Sequence, residues 1–462
     1  MFSKKVITDE HLPAQTIEIE ELLTRRIKAI FPSGEEAEKR LKEGKKLRIY
    51  LGIDPTGPNL HLGHTIPLLF LKQLLELGHK PVLLIGDFTA RIGDPTGKES
   101  ARSQLTEKEV KKNMENYLEQ VYKILPKDSF EVKHNSVWLS KMLFQDVVEL
   151  ASYVTVQQMI QRDMFQRRIR GEIVCLDKET GLEKGRFNPP LGFISRFGNI
   201  EVYAGKIECS CCGSEIDQGE IIYGGTKSGL HKVNAFPMPI YLNEFLYPLM
   251  QGYDSVAMKI DGEVGGNDQT FNMLVGRDLE RKMLNKDKLV FATRLLIDAE
   301  SGKKMSKTEG GLISLSDSPQ DMFGKTMKTV PDEMTALVFL LCTEKQRQWI
   351  DGKKGNDPYG FKKELAYELV RMYHGEKEAQ KAGEEWERVF SKGELPGEME
   401  KVKKTKLVEL VGLATQGSSS SAKILIEQGA VKVNGEVKKE WGFVPKEGDV
   451  IQIGPKKFIK VI

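Results

Sequence analysis

The sequence predicts an α/β protein of several domains with a parallel sheet at its centre. Three observations carry this. The chain has 462 residues, too many for one ordinary hydrophobic core, so two or three domains are expected. Between residues 47 and 85 a strand, a turn-rich loop, an apolar helix pattern and a second strand follow in order, the βαβ unit of a parallel sheet. At the other end, residues 405–462 read as one helix followed by short strands around Asn434-Gly435 and Glu447-Gly448 turns, a small α+β unit.

Residues 1–46 are charged, and 18–30 and 33–43 carry helical spacing, which predicts a helical N-terminal extension. Residues 47–53 alternate as a strand, 54–59 are turn-rich, 63–77 form an apolar helix ended by Gly78, and 81–85 are a buried strand. No GxGxxG follows the first strand, so the Rossmann-like parallel-sheet domain predicted over 47–290 lacks the dinucleotide fingerprint. Helical patterns resume over 106–124 and 138–168. Residues 172–238 then change character, with many glycines, scattered aromatics and a cysteine cluster, and predict an inserted β-rich subdomain. A helix over 242–253 and a strand over 255–260 return the chain to the sheet. Residues 291–330 hold a Gly- and Lys-rich loop, 331–390 read as a helical domain, and 391–404 (SKGELPGEMEKVKK) as a linker.

The net charge of +3 hides an asymmetry. From Lys401 to Ile462 there are 12 lysines, no arginine and 6 acids, a net +6, which leaves −3 on the rest. A basic end on a mildly acidic body suits a polyanionic partner, although a solvated surface has the same composition. Five cysteines, unevenly spaced, argue against a disulfide framework and for a reducing compartment. No apolar run approaches the roughly 20 residues of a membrane helix. MFSKKVITDEHLPAQ has no apolar stretch after its basic residues, so a cytoplasmic location without membrane association is expected.

Residues 50–64 read YLGIDPTGPNLHLGH: a strand end, a turn-rich loop, then two histidines flanking a glycine where a helix begins. A helix start offers free N–H groups that suit phosphate. Gly63 lets a flat base or ribose approach the backbone, and His61 and His64 can donate to phosphate oxygens as charge builds. A metal-binding pair and plain surface histidines are the alternatives, and HxGH by itself specifies adenylyl transfer and no more. Residues 295–311 read LLIDAESGKKMSKTEGG, where Lys304 and Lys307 stand on a Gly-flanked loop able to close on a pyrophosphate.

HLGH and KMSKT resemble the HIGH and KMSKS motifs of class I aminoacyl-tRNA synthetases, with Thr308 in place of the last serine. Within that class YLGIDPTGPNLHLGH, GDPTGKESAR (93–102), LYPLMQGYD (246–254) and GEVGGNDQTFN (262–272) resemble the tyrosyl-tRNA synthetases. That similarity covers nearly the whole chain outside the insertion. It implies activation of L-tyrosine by ATP with Mg²⁺ to a tyrosyl-adenylate, then transfer to the 3′ end of tRNA(Tyr), by a homodimer. It puts Tyr50 and Asp254 at the phenol hydroxyl and Asp94, Tyr247 and Gln251 at the ammonium. Gln269 would approach the carboxyl end, and Gly266 and Asp268 the ribose. Gly52, Asp54, Gly63, Met305 and Ser306 would complete the ATP site. Thr56, His61, His64, Lys98, Arg102, Lys304 and Lys307 would surround the phosphates as the catalytic set. Phenylalanine would leave Tyr50 and Asp254 buried and unpaired, which costs free energy. Residues 331–390 would correspond to the helical anticodon-side domain. The tail, with SSSSAKILIEQGAVKVN over 418–434, resembles an S4 RNA-binding domain, with Lys423 and Lys432 toward RNA. Tryptophan as substrate, an adenylyltransferase for a small molecule, and an RNA-binding protein on a synthetase frame are the rival readings.

The insertion adds Cys209-Ser-Cys211-Cys212-Gly213, a C-x-x-C-G turn shaped like a zinc knuckle. One knuckle supplies two ligands, Cys209 and Cys212. Cys175 and His231 could complete a structural Zn²⁺ site, with Cys211 as an alternative ligand; free thiols in a small β domain and a redox role are the competing readings. From its position beside the family's dimer interface, the insertion is expected to extend that interface or to touch the tRNA acceptor stem.

Overall fold

The computed structural model describes all residues except 1–18, 95–104, 178, 190–193, 198–199, 204–206, 210–212, 214, 217–221, 224–230, 236–238, 298–311, 392–398, 416–417 and 455–456. The chain divides into two compact units: residues up to Ser316 with Glu333–Asn356, and Asp317–Asp332 with Asp357–Ile462.

The first unit is built on a six-stranded sheet: β1 (Ile27–Phe31), β2 (Arg48–Ile53), β3 (Lys80–Ile85), β4 (Glu131–His134), β5 (Gly262–Gly266) and β6 (Leu289–Thr293), in the spatial order β1-β6-β5-β2-β3-β4. β1 runs antiparallel to β6; every other pairing is parallel. Parallel strands covered on both faces need continuous apolar runs, and LLI of β3 and LVFAT of β6 supply them, buried throughout. Helix α1 (Leu62–Glu76) crosses from β2 to β3 and buries nine side chains. Helices α2 (Leu242–Met258) and α3 (Thr270–Leu284) flank β5 in sequence and pack against each other. Their backbones touch: a Cβ on Gly252 would lie 3.2 Å from Gly276 Cα. The strands β2, β3 and β5 all end toward the loops that carry the candidate motifs, the usual ligand edge of an open α/β sheet.

Several expectations change. Of the helix expected over 18–30 only Ile19–Arg25 is helical, because Ile27–Phe31 forms the edge strand β1, while the helix expected over 33–43 spans Gly34–Lys42. Between them Arg25 and Arg26 are buried and donate to the carbonyls of Leu340, Leu341, Thr343 and Lys345. That anchor turns the chain, and IKAIF alternates well enough to pair as a strand. The strand expected over 255–260 is the end of α2, which runs to Met258 and stops at Lys259 in left-handed conformation (φ 52°). The strand is Gly262–Gly266 instead, glycine-rich because neighbours crowd both its sides: a Cβ on Gly262 would lie 3.1 Å from Ile49 Cγ1. The helix expected over 106–124 is two, Glu107–Met114 and Tyr117–Val121, and 138–168 holds several short ones.

The insertion is β-rich. Its best-described sheet has Glu172–Leu176 between His231–Ala235 and Glu183–Phe187, all antiparallel. In the second unit Pro319–Thr329, Pro358–His374 and Glu376–Trp386 pack together. The helices Thr335–Cys342 and Arg347–Lys353, expected within one domain over 331–390, belong to the first unit. The tail has two helices where one was expected, Leu407–Thr415 and Ser419–Glu427, against a five-stranded sheet. Leu407, Leu410, Ala422, Ile426, Val431, Ile451 and Ile459 form its core. Glu400–Val402, placed in the linker by composition, joins that sheet beside Lys457–Val461.

Candidate active site

His61 is the N-cap of α1, with extended backbone, and its Nδ1 accepts from Gly63 N–H at 3.1 Å. His64 returns the favour: its Nδ1 accepts from His61 N–H at 3.2 Å. The rings stand 4.0 Å apart. Because each Nδ1 accepts, each neutral ring carries its hydrogen on Nε2. Gly63 is required here, since a Cβ would sit 2.9 Å from His61 Cε1. Loss of water around His64, then the neighbouring His61, pushes its pKa down to about 3. His64 is therefore a neutral donor at physiological pH. Residues 313–315, downstream of KMSKT, are pinned along this turn: Leu62 N–H donates to Ile313 O at 3.1 Å and Leu315 N–H to Leu60 O at 2.9 Å.

A second group converges from β2, β3, β5 and α2. Tyr50, Asp254 and Ser255 are buried. Asp254 Oδ1 accepts from Trp138 Nε1 at 2.7 Å and Oδ2 from Asn135 Nδ2 at 3.2 Å. Asn135 also donates to Thr89 Oγ1 at 3.0 Å, Thr89 donates to Asp54 Oδ1 at 2.7 Å, and Tyr247 Oη donates to Asp54 Oδ2 at 2.7 Å. Gly86 makes room for this, since a Cβ there would lie 1.9 Å from Asp54 Oδ1. Gln251 Nε2 donates to Glu263 at 3.0 Å, Asn272 donates to Gln251 at 3.0 Å and to Gln269 at 2.9 Å, and Gln269 donates to Asp94 at 2.6 Å. Burial, with Asp54 and Glu263 adding repulsion, holds the Asp254 carboxyl well above the usual carboxylate range. Burial first, then nearby acids, likewise raises the Tyr50 and Tyr247 hydroxyls.

Thus Tyr50, Asp54, Asp94, Tyr247, Gln251, Asp254 and Gln269, singled out from the sequence, share two hydrogen-bonded clusters near one sheet edge. Thr56 and Gly52 lie on the loop and strand end after β2, and Gly266 and Asp268 at the end of β5. Nothing in the sequence points to Thr89, Asn135, Trp138, Glu263 or Asn272. Their only signal is chemical: a buried carboxylate demands donors. Lys98, Arg102, Lys304, Met305, Ser306 and Lys307 lie outside the described residues. In the tail Ser418 caps its helix, and Lys423 Nζ lies 4.5 Å from the Trp441 ring centroid; Lys432 is exposed.

The zinc expectation gains no support. Among the described residues no group of three or more His, Cys, Asp or Glu could hold a metal. Cys175 and Cys209 are buried, His231 is the backbone register partner of Cys175, and Gly213 N–H closes the turn on Cys209 O at 2.8 Å. Cys211 and Cys212 lie outside the described residues. Burial is enough reason for small side chains at 175 and 209. No helix among the described residues is long and apolar enough to cross a membrane.

The family model described as tRNA synthetases class I (W and Y) matches residues 42–178 and 225–391, leaving out the middle of the insertion. A tyrosine–tRNA ligase of Moorella thermoacetica is 35% identical over 458 residues, covering 95% of this chain and 94% of that protein. One of Thermotoga maritima is 36% identical over 442 residues, 93% and 94% of the two chains. In fold the chain is similar to a C-terminally truncated mitochondrial tyrosyl-tRNA synthetase of Aspergillus nidulans, with a TM-score of 0.55 at 22% identity over 80% of this chain and 94% of that one. A tyrosyl-tRNA synthetase of Archaeoglobus fulgidus, solved with L-tyrosine, gives 0.52 at 18% identity, over 79% and 100%.

Proposed function

The chain belongs to the tyrosine–tRNA ligases, class I synthetases of the tryptophan and tyrosine branch, and from that membership we propose how its own residues divide the work. It activates tyrosine with ATP and charges tRNA. The tyrosine carboxylate attacks the α-phosphorus of ATP, which enters with Mg²⁺ on its phosphates, and pyrophosphate leaves. A 3′-terminal ribose hydroxyl of tRNA(Tyr) then attacks the mixed anhydride and releases AMP. No protein nucleophile is needed, so the residues act by position and charge.

The observation that carries the substrate assignment is Asp254, a buried carboxylate held by Trp138 and Asn135 close to Tyr50. An acceptor and a hydroxyl donor at the base of the pocket match a phenol O–H, and phenylalanine would leave both unpaired. At the other end Asp94, Tyr247 and Gln251 receive the ammonium, and Gln269 the carboxyl end. Gly266 and Asp268 take the ribose, and Gly52, Asp54, Gly63, Met305 and Ser306 line the rest of the ATP site. His61 and His64, each with a hydrogen on Nε2, stabilise the α-phosphate as charge builds. Thr56, Lys98, Arg102, Lys304 and Lys307 hold the leaving pyrophosphate.

The acceptor is tRNA(Tyr), met in part by the basic tail through Lys423 and Lys432. We further propose a cytoplasmic homodimer. Phe144 and Leu242 are 84% and 83% exposed, with Leu143, Val148 and Tyr241 beside them in sequence, on elements that pack together. So large an apolar surface suits a partner. ATP–pyrophosphate exchange with each of the twenty amino acids tests the main reading. Exchange is expected with tyrosine alone, and exchange with tryptophan, or with none, overturns it.

A further inference from the structure

Lys288 is an odd residue to find inside a protein. It stands in a run, KMLNKDK, that reads as surface, yet it is fully buried. Its Nζ donates to Ser255 Oγ at 2.5 Å and pairs with Glu263, and it lies 5.6 Å from the Tyr50 ring centroid. The fold makes room for it: a Cβ on Gly276 would lie 2.6 Å from Nζ. A buried ion pair is weak evidence for stability, since hydrophobic replacements often do as well. The arrangement invites a functional reading.

The donor and acceptor inventory decides that reading. An ammonium has three hydrogens and no acceptor, so Ser255 Oγ must accept from Lys288. Among the described residues the other hydrogen-bond partner of Ser255 Oγ is Tyr50 Oη at 3.1 Å, and since the ammonium cannot accept, Tyr50 Oη is the acceptor that satisfies the serine hydrogen. Tyr50 Oη then accepts from Ser255, and its own hydrogen is available to a third group. Glu263, the register partner of Tyr50 across β5 and β2, would compete for that hydrogen. It does hold part of that hydrogen bond, and Lys288 and Gln251, which also donate to its carboxylate, weaken its pull on Tyr50. Both effects of Lys288 turn the Tyr50 O–H toward the phenol pocket.

We infer that Lys288, acting through Ser255 and Glu263, fixes the direction of the hydrogen bond from Tyr50 to the substrate phenol, and so is a positioning residue for tyrosine specificity. This rests on the tyrosine pocket proposed above. With Tyr50 held as donor and Asp254 as acceptor, the pocket asks for a group that accepts and donates at one atom. A phenol does so; a bare ring does not.

Pyrophosphate exchange with tyrosine and phenylalanine tests it, on wild type, Ser255→Ala, Ser255→Thr, Lys288→Met with Glu263→Gln, Tyr50→Phe, and the Ser255→Ala/Tyr50→Phe pair. Ser255→Ala is expected to lower the tyrosine-to-phenylalanine ratio of kcat/KM about tenfold, the worth of one hydrogen bond. The loss should appear in the tyrosine KM, with kcat at saturation little changed, and Ser255→Thr should recover it. The double replacement of the ion pair should lower the ratio similarly without stranding a buried charge. In the Tyr50→Phe background Ser255→Ala should have no further effect. An unchanged ratio, equal losses for both amino acids, or full additivity with Tyr50→Phe overturns the inference. Failure of the pocket assignment looks different: wild type itself would not prefer tyrosine.

Discussion

Glu280 offers a test of the electrostatics beneath the pocket. It is buried on α3. Burial raises its carboxyl from 4.5 to about 7, against the pull of Lys288 and Lys286. The folded protein therefore holds a proton on Glu280 between those values while the unfolded chain does not. Stability falls as pH rises through that window and is flat on either side. Over the whole window, from 4.5 to about 7 at about 1.36 kcal/mol per pH unit, the loss is about 3 kcal/mol. Some 2 kcal/mol of it, roughly, falls between about pH 5.5 and about pH 8. Glu280→Gln removes the titration, so the variant's stability relative to wild type should rise by about 2 kcal/mol between those two pH values. Any fixed cost of the amide cancels in that difference. A chain of two units need not unfold in one step, so the measurement is native-state hydrogen exchange at the amides of β6, the strand beginning at Leu289. A variant-minus-wild-type difference that stays constant with pH would refute the account.

Two further predictions concern the chemistry and the RNA. His64→Ala should slow adenylate formation in single turnovers by about a hundredfold with tyrosine Kd unchanged. Since His64 titrates at about 3, an inflection near neutral pH in the wild-type rate that this replacement abolishes would contradict its role as a neutral donor. Replacing Lys423 and Lys432 together by Ala should weaken tRNA binding and flatten the slope of log affinity against log salt by up to about 2, leaving pyrophosphate exchange intact; an unchanged slope would remove the tail from the contact.

Local constraints were legible in the sequence. The HLGH turn needs an N-cap side chain, a glycine that a Cβ would block, and a second histidine three residues on, all within four residues. Tyr247, Gln251 and Asp254 recur at helical spacing, so α2 brings them to related positions on its own. What stayed hidden depends on distant elements. Asn135 and Trp138 reach Asp254 from the far end of β4, and no short pattern ties them to it. Lys288 reads as surface because burial of a lysine is decided by its partner, Glu263, on the neighbouring strand. IKAIF fits a helix turn or a short strand equally, and only pairing with β6 chooses. The glycines of β5 lower its strand signal for the reason that makes it a central strand, the tight approach of its neighbours.

The acids around the pocket show why such a site is built against stability. Asp54 and Glu263 each push the buried Asp254 carboxyl further up after burial has raised it, and Asp54 and Asp94 do the same to the Tyr247 hydroxyl. A protein selected for stability alone would replace such groups with apolar ones of similar volume. Here Lys288 offsets the charge of Glu263 beside Tyr50, inside the fold and permanently. Beside Asp94 and Tyr247 the buried Arg162 supplies part of the compensating charge, and in the pocket proposed above the ammonium of tyrosine adds to it on binding. On that proposal, the repulsion left in the free protein is relieved by tyrosine. The same carboxylates that weaken the empty site therefore strengthen the filled one, and substrate binding and stability are linked through them.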